Sequence, residues 1–470
     1  MLQRPYDWPM IVLVASLIVA TMLQAPIPAQ RSSPDVVPQT RAILTAIVAG
    51  DFATVEKQFA DDMKAALPPG ALAGMWAKLL NQAGAYKSCG TDPRVRRIDD
   101  KDMVITPCEF ERTTIDIQFA FDSAGRISGL VFRPGVRAAA PYTLPSYATP
   151  SSFVERETTF GSSEWPLPAT LTIPSGAGPW PAVVLVHGSG PNDRDETVGA
   201  NKPFRDLATG LASRGIAVLR YDKRTMVHRA RVAALKDFTV QQEVIDDALE
   251  AVKTLRAHPD IDPKRVFVLG HSLGGMLIPR IGTADPTIAG LIVLAGPASP
   301  LEEAIVRQTR YLTMADGTIS TEEQQAIDGA AAVANSVRAL RPGEANSGRM
   351  IAGAPASYWL DLRGYDAPSA AARVKPPLLI LHGERDYQVT TDEFARWRAA
   401  LGSRRDVTSR SYPELNHLFI AGTGPSLPAE YQVAGHVAEE VIRDIAGWIA
   451  APRSHTVHRH VDRRPGAAGF

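Results

Sequence analysis

The sequence predicts an α/β fold in which a mostly parallel sheet carries helices on both faces, preceded by a small α+β domain. Through the last two-thirds of the chain, short apolar runs typical of buried strands alternate with helix-compatible stretches. One such run leads through a glycine-flanked turn directly into a helix-compatible stretch. Before this region, helical periodicity gives way to strand-like alternation, which is typical of a separate α+β unit. We therefore expect two domains.

The overall composition is that of an ordinary globular protein. The chain has 470 residues, which is long enough for two hydrophobic cores, and its 50 basic and 50 acidic side chains balance. This balance gives no indication of nucleic acid or an acidic polymer as a partner. Nothing in the sequence indicates an oligomeric state.

The first 29 residues depart from this average. Met10 to Leu23 is almost uninterrupted apolar sequence, with Arg4 before it and the small residues Ala25 and Ala29 after it. This run of 14 residues is shorter than the roughly 20 that a membrane-spanning helix needs. We expect residues 1–29 to be an export signal, which would make the protein periplasmic or secreted; an uncleaved anchor and a buried helix are the alternatives. Membrane contact is expected only if this segment is uncleaved.

Cys89 and Cys108 are the only cysteines of the chain. Two cysteines in an oxidising compartment can pair, so their presence agrees with export. Each flanks a predicted strand of the same small domain. We expect a structural disulfide between them, and two inert buried thiols are the alternative.

The small α+β domain is expected over residues 35–136. Helical periodicity indicates helices at 40–48, 52–59 and 72–80. Strand-like alternation follows at 103–105, 113–121 and 127–132. No catalytic constellation is visible in this domain. Core packing, rather than a pocket, is the favoured role for three larger side chains, Met75, Trp76 and Tyr86.

The larger domain is expected over residues 153–450, after a linker at 137–152. An antiparallel pair should form one edge of its sheet, at 153–160 and 167–173. The expected buried strands are 182–186, 216–220, 266–269, 291–294 and 378–381, with a last strand near 407–412. The expected helices are 203–213, 240–257, 275–282, 391–401 and 430–449. We expect the Arg-rich tail, 451–470, to be disordered.

One connection is much longer than such a sheet requires. About 80 residues separate the strand at 291–294 from the strand at 378–381, and connections of this length usually carry function. Helical patterns occur within it at 302–314, 321–338 and 358–362. We predict that residues 297–375 form a helical cap over the active site.

The glycine-flanked turn is Gly270-His271-Ser272-Leu273-Gly274, directly after the apolar run 266–269. A G-x-S-x-G between a strand and a helix is typical of a nucleophile elbow, because small residues allow the sharp bend that exposes a serine hydroxyl. Ser272 is therefore the expected nucleophile. The pattern alone is a weak signal, so its surroundings must support the assignment.

Three further motifs occur where such a site needs them. The strand at 182–186 ends in His187-Gly188-Ser189-Gly190, the strand at 378–381 is followed by Asp386, and His417 comes after the last strand. The chain order Ser, Asp, His is that of the α/β-hydrolase fold. Residues 150–450 resemble an α/β hydrolase.

This resemblance implies a role for each of these residues. His417 would be the general base, and Asp386 would hold its imidazole in the required tautomer. Glu384 and Asp392 are the competing acids, but Glu384 is nearer the strand end and Asp392 is typical of a helix start. The backbone N–H groups of two residues would form the oxyanion hole, Ser189 and Leu273. The side chains of His187 and His271 would support their turns.

The stretch from His187 to Phe204 is similar to that of EstD-type bacterial carboxylesterases. Within it, the charged run 191–197 allows two interpretations, a solvated surface and a role in shaping the mouth of the site. The small N-terminal domain resembles the domain of unknown function that precedes the hydrolase in some secreted bacterial esterases, with a cystatin-like or NTF2-like fold.

The expected function is hydrolysis of a small-molecule carboxylic ester through an acyl-enzyme intermediate. An acyl thioesterase or acyltransferase and a peptidase are alternatives on the same fold. A cell-envelope binding module is the non-enzymatic alternative. No cofactor or metal is expected, because the sequence has no H-E-x-x-H or carboxylate cluster.

Overall fold

The computed structural model describes residues 36–91, 93–98, 101–111, 113–134, 142–315 and 317–451. The predicted export signal, residues 137–141 of the predicted linker and the tail from 452 onward lie outside the described residues. Within the described ranges, no helix is both long and apolar enough to cross a membrane.

The N-terminal unit places four helices against a five-stranded antiparallel sheet. The helices are α1 (Val36–Val48), α2 (Phe52–Glu56), α3 (Asp61–Ala66) and α4 (Ala71–Ala83). The strands are β1 (Tyr86–Cys89), β2 (Arg94–Ile98), β3 (Lys101–Phe110), β4 (Thr114–Phe121) and β5 (Ile127–Pro134). Strands pair in the order β1-β3-β4-β5, and β2 also pairs with β3. This is the predicted order of helices followed by strands, with the short strands β1 and β2 in addition.

An aromatic cluster forms part of the core of this unit. Trp76 is buried, and its ring lies 5.8 Å from that of Phe110 and 6.2 Å from that of Phe132. Tyr86 packs edge-on against Phe110. These contacts agree with the core-packing interpretation of Trp76 and Tyr86.

Cys89 and Cys108 form a disulfide. The two residues are directly opposite each other in the antiparallel β1–β3 pair, and Cys108 is completely buried. The bond therefore fastens the short first strand to the longest strand of the sheet.

The larger unit is built on an eight-stranded sheet in the order β15-β14-β11-β10-β8-β9-β7-β6. The strands are β6 (Phe153–Phe160), β7 (Leu167–Pro174), β8 (Trp180–Val186), β9 (Ala217–Tyr221), β10 (Ile261–His271), β11 (Gly290–Leu294), β12 (Met350–Ile351), β13 (Ala354–Pro355), β14 (Leu378–Gly383) and β15 (Val407–Tyr412). The six strands from β15 to β9 run parallel, and β7 and β6 add an antiparallel edge. β12 and β13 form a separate two-residue hairpin.

Helices cover both faces of this sheet. They are α5 (Pro203–Ala212), α6 (Arg224–Val227), α7 (Arg229–Ala233), α8 (Asp246–Arg256), α9 (Leu273–Ala284), α10 (Leu301–Thr313), α11 (Thr321–Ala339), α12 (Ala356–Leu362), α13 (Ala367–Ala371), α14 (Thr391–Leu401) and α15 (Glu439–Ala450). Successive residues of β8 point to opposite faces, Val184 into the core under α8, α9 and α14, and Val183 into the core under α5 and α15. The architecture is that of an α/β hydrolase, as the sequence predicted.

The expected helix over 430–449 is wrong in its first third. A 3-10 turn occupies Pro428–Gln432, and α15 begins only at Glu439. The intervening backbone is extended, because Val437 donates its N–H to the Asp206 carboxylate and Ala438 donates to the Phe419 carbonyl. These tertiary hydrogen bonds override the local helical periodicity.

The insertion between β11 and β14 contains α10 to α13 and the β12–β13 hairpin. Its three predicted helices correspond to α10, α11 and α12, and the hairpin and α13 were not anticipated. The insertion has a small core of its own, in which Trp359 packs with Val337 and Leu340.

Candidate active site

Ser272 occupies the sharp turn between the end of β10 and the start of α9. Its φ of 51° and ψ of −118° are unusual for a residue with a side chain. The Ser272 N–H donates to the Leu294 carbonyl on the neighbouring strand β11, at 3.0 Å. The turn is therefore held in its strained shape by the sheet, as a nucleophile elbow requires.

Both glycines of the motif are required by the close approach of backbone. A Cβ atom on Gly270 would lie 2.3 Å from the Gly274 carbonyl oxygen. A Cβ on Gly274 would lie 2.4 Å from the Val186 carbonyl oxygen, at the end of β8. Glycine is therefore needed at both positions because a Cβ atom would collide with neighbouring backbone, in addition to the conformational freedom that the sharp turn requires.

Asp386 and His417 form a buried pair. His417 Nδ1 lies 2.6 Å from Asp386 Oδ2. The other carboxylate oxygen of Asp386 accepts hydrogen bonds from the N–H groups of Gln388 and Val389, at 2.8 and 3.0 Å. Because a carboxylate only accepts, Nδ1 of His417 carries the proton, which leaves Nε2 free to take one from another group. Among the three acids considered from the sequence, Asp386 is the one that contacts His417: Glu384 instead bonds to Ser411, at 2.7 Å.

The loop that carries His417 is held by its neighbour Asn416. The side-chain oxygen of Asn416 accepts from the N–H groups of Leu418 and Ile420, at 3.0 and 3.2 Å. Its amide nitrogen donates to Glu430 at 3.1 Å. This role of Asn416 was not predicted from the sequence, although an asparagine directly before a candidate site histidine is a recognisable signal.

The loop after β8 lies directly against the serine. A Cβ built on Gly188 would be 3.1 Å from Ser272 Cβ and 3.6 Å from Ser272 Oγ. The Gly188 N–H is occupied, because it donates to the buried carboxylate of Glu196 at 2.6 Å. In the part of the chain that the structure describes, the N–H groups of Ser189 and Leu273 donate to no other group. These are the two amides that the resemblance to α/β hydrolases assigned to the oxyanion hole.

The two motif histidines support their turns, as expected. His187 is buried between the rings of Phe204 and Tyr221 and hydrogen-bonds through Nε2 to the Asp193 carbonyl at 3.0 Å. Burial lowers the pKa of His187 to about 4, so that it stays neutral. His271 donates from Nε2 to the His417 carbonyl at 3.0 Å, and its Nδ1 lies 2.9 Å from Glu196.

Comparison with known proteins agrees with this geometry. A family model described as serine aminopeptidase, S33, matches residues 179–422, and a model described as a protein of unknown function (DUF3887) matches residues 41–130. Esterase EstD of Thermotoga maritima is 39% identical over 399 residues, which cover 85% of this chain and 92% of that protein. The chain belongs to the EstD family of α/β-hydrolase esterases.

Solved esterase structures are also similar to this esterase. Est1E from Butyrivibrio proteoclasticus aligns over 63% of this chain and 99% of its own, with 17% identity and a TM-score of 0.40. The esterase from Pyrobaculum calidifontis aligns over 63% of this chain and 85% of its own, also with 17% identity and a TM-score of 0.40.

The charged run 191–197 of this esterase fastens the loop after β8 to the sheet. Arg194 pairs with Asp222 at 2.8 Å and with Glu157 on β6. Asp195 pairs with Lys202 at 2.8 Å and with Arg220 on β9. The run is therefore largely engaged in ion pairs, and Asp195 and Glu196 are buried. Of the two interpretations that the sequence left open, these contacts disfavour the solvated surface.

The insertion contacts the acid loop of this esterase. Tyr311 on α10 stacks on Tyr387, the residue after Asp386, with ring centroids 5.0 Å apart. Arg307 on the same helix pairs with Glu393 at 2.8 Å. One helix of the insertion is thus anchored next to the Asp386–His417 pair.

In the described ranges, no group of three or more potential ligand side chains could hold a metal ion.

Proposed function

We propose that this esterase hydrolyses carboxylic esters through an acyl-enzyme intermediate, with Ser272, His417 and Asp386 as a catalytic triad. The observation that carries the proposal is the buried His417–Asp386 pair, at 2.6 Å, in a fold that also holds Ser272 on a strained elbow. A neutral serine is a poor nucleophile until a base removes its proton, and His417 Nε2 is free to do this.

The first half of the reaction acylates the enzyme. Ser272 Oγ attacks the ester carbonyl carbon as His417 Nε2 takes the hydroxyl proton, and the carbonyl oxygen becomes an oxyanion. The N–H groups of Ser189 and Leu273 stabilise this oxyanion, each contributing roughly 3 to 4 kcal/mol by analogy with other enzymes. The intermediate then collapses, and the alcohol leaves with the proton that His417 holds.

The second half returns the enzyme to its starting state. His417 takes a proton from a water molecule as the water attacks the acyl carbonyl, and the same two N–H groups stabilise the second oxyanion. Collapse of this intermediate releases the carboxylic acid and restores the Ser272 hydroxyl. Throughout, the buried Asp386 carboxylate stabilises the imidazolium and fixes its orientation.

The acyl group is proposed to bind between the elbow and the insertion. The contact of α10 with the acid loop supports this location, because it brings the insertion next to His417. On this proposal the insertion limits the length of the acyl chain.

The proposal can be tested with a p-nitrophenyl ester series from acetate to palmitate, using wild type and Ser272→Ala. We expect turnover of the shorter esters by wild type and loss of nearly all activity in the variant, with a fluorophosphonate probe labelling only wild type. Amino-acid p-nitroanilides and acyl thioesters are assayed in parallel, since the matching family model is described as a serine aminopeptidase. Preference for either of these over every ester would overturn the substrate class, and absence of both turnover and labelling would overturn the mechanism.

We also propose that the protein is exported. The Cys89–Cys108 disulfide supports this, because disulfides persist in oxidising compartments. The test is the mass of the protein recovered from the cell envelope and medium of an expressing bacterium. Loss of residues 1–25 or 1–29 is expected, and full-length protein confined to the cytoplasm would contradict the proposal.

A further inference from the structure

Gly188 is held on both sides by buried charged side chains. Its N–H donates to Glu196 Oε1 at 2.6 Å, and its carbonyl accepts from Lys223 Nζ at 2.8 Å. The Lys223 side chain is only 2% exposed and that of Glu196 only 4%. A lysine buried to this degree requires an ordered partner, and here one partner is the peptide next to Ser189.

The Lys223 contact determines where the Ser189 N–H points. The Gly188 carbonyl and the Ser189 N–H belong to one peptide unit, which is planar and trans, so the two groups point in opposite directions. Fixing the carbonyl therefore fixes the N–H. A cation on the carbonyl oxygen also polarises the peptide and makes its N–H a stronger donor. Asn192 Nδ2 adds a second hydrogen bond to the same carbonyl, at 3.2 Å.

We propose that Lys223 and Glu196 are positioning residues of the oxyanion hole, which hold the Gly188–Ser189 backbone so that the Ser189 N–H meets the developing oxyanion. The proposal rests on the function proposed above. It assigns a catalytic consequence to Lys223, which no sequence pattern connects with the site, and a specific role to Glu196, which lies in the charged run 191–197.

Glu196 connects this backbone to the other catalytic loops. Its second carboxylate oxygen lies 2.9 Å from His271 Nδ1, and His271 Nε2 donates to the His417 carbonyl. Since a carbonyl only accepts, Nε2 must carry a proton. Burial disfavours the charged imidazole, but the adjacent Glu196 carboxylate outweighs burial and raises the pKa of His271. Glu196 and His271 thus form a buried pair that links the oxyanion loop, the elbow and the His417 loop.

Lys223 connects the same backbone to the insertion. It pairs with Glu243 at 2.9 Å, and the other Glu243 oxygen accepts from the Tyr358 hydroxyl at 2.7 Å. Tyr358 lies on α12, within the insertion. All three side chains are buried. The contacts from Tyr358 through Glu243 to Lys223 therefore connect α12 to the Gly188 carbonyl, so a shift of α12 is expected to move that carbonyl.

The principal test compares Lys223→Met with Arg224→Met. Arg224 is the next residue and makes a buried ion pair with Asp247, but it makes no hydrogen bond with the oxyanion loop. We expect kcat, measured per fluorophosphonate-titrated site, to fall 10- to 100-fold in Lys223→Met with little change in KM, because the contact matters most when charge develops on the oxygen. Arg224→Met should keep the wild-type kcat per titrated site.

A second measurement separates positioning from general loosening of the fold. A trifluoromethyl ketone adds to the serine and places its oxyanion in the same hole, so its Ki should rise by the same factor as kcat/KM falls. An unchanged Ki beside a reduced kcat/KM would overturn the proposal. Equal losses in Lys223→Met and Arg224→Met would overturn it as well.

Glu196 is tested by Glu196→Leu and Glu196→Gln. Glutamine can still accept from the Gly188 N–H and donate to a neutral His271, whereas leucine can do neither. Glu196→Gln should therefore regain most of the kcat that Glu196→Leu loses, and equal effects of the two would contradict the role of this contact.

If Lys223→Met does not fold, Tyr358→Phe carries the test, with Tyr142→Phe as its control. Each variant removes one hydroxyl that donates to a buried carboxylate at 2.7 Å, but the partner of Tyr142 is Asp206 on α5, which has no hydrogen bond to Lys223 or to the Gly188–Ser189 peptide in the part of the chain that the structure describes. We expect kcat to fall about threefold in Tyr358→Phe alone. A wild-type kcat in Tyr358→Phe would then overturn the proposal. Wild type that neither turns over esters nor labels with the probe would instead refute the proposed function.

Discussion

The imidazole of His417 and the completely buried carboxylate of Asp386 are joined at 2.6 Å, and the second oxygen of that carboxylate is held by two backbone N–H groups. These contacts leave Asp386 no freedom to rotate away from the ring. The orientation of the base is thus determined by the backbone of the acid loop as well as by the pair itself.

Asp386→Asn should lower kcat by about 10⁴-fold, because an amide that donates to Nδ1 would stabilise the tautomer with its proton on Nε2. That tautomer cannot take the Ser272 proton. The measurement is kcat on a short p-nitrophenyl ester, with Glu384→Gln as the control. Glu384 is exposed and bonds to Ser411, so this control should retain wild-type activity. A loss of kcat in Glu384→Gln but not in Asp386→Asn would show that Glu384, and not Asp386, is the acid that supports His417.

Gly188→Ala should reduce kcat at least tenfold while leaving the fold intact. The new Cβ would lie 3.1 Å from Ser272 Cβ and 3.2 Å from Glu196 Oε1, so both neighbours must move by a few tenths of an ångström, and misplacement of reacting groups is costly. Gly329→Ala is the control, because its Cβ would meet nothing within 4 Å. Kinetics and thermal unfolding of both variants check the prediction; wild-type kcat in Gly188→Ala would show that the loop moves without cost.

The protein should lose stability as the pH falls from about 6.5 to 4. Burial lowers the pKa of His187 to about 4, so the unfolded chain binds a proton in this range that the folded protein excludes. The resulting destabilisation is absent well above pH 6.5 and amounts to about 3 kcal/mol once the pH is near 4. Urea unfolding at pH 7.5 and pH 4.5 should show a smaller pH-dependent loss in His187→Gln than in wild type. Identical losses would mean that other groups account for the acid sensitivity.

Breaking the Cys89–Cys108 bond should destabilise the N-terminal unit without affecting catalysis. The two cysteines are 19 residues apart, and a crosslink of that span contributes about 3 kcal/mol in the loop-entropy account. The measurement is unfolding of wild type with and without reductant, beside Cys89→Ala/Cys108→Ala. The kcat on a soluble ester should be unchanged in all samples. A large loss of kcat on reduction would show that the N-terminal unit supports the active site.

The parts of the fold that could be predicted are those with a strong local signal. The apolar runs at 182–186 and 291–294 became β8 and β11 because buried parallel strands need continuous apolar sequence. Gly270 and Gly274 identified the elbow, since no other residue fits where backbone approaches backbone so closely. Asp386 was selected over Glu384 because its loop resembles the acid loop of the family, and it is the acid that contacts His417.

Other features carried no local signal because distant segments produce them. The stretch 433–438 has the periodicity of a helix, but its hydrogen bonds to Asp206 and Phe419 keep it extended. In the sequence, Lys223 and Glu243 have no pattern that distinguishes them from solvated charges, and Glu196 is one member of the charged run 191–197. Glu196 is buried beside His271 of the elbow, and Lys223 and Glu243 are buried where the segment after β9 meets Tyr358 of the insertion.

The sequence by itself determined the α/β order, the elbow and the choice of Ser272, Asp386 and His417 as candidate site residues, because strand periodicity, glycine spacing and chain order are local or sequential properties. The tertiary structure alone decided that Gly188 lies between Glu196 and Lys223. It also decided that Tyr358, 115 residues from Glu243, bonds to that carboxylate, which in turn pairs with Lys223. The physical reason is that a charge becomes buried only when other parts of the chain exclude water from it, and no neighbouring residue specifies which parts those are.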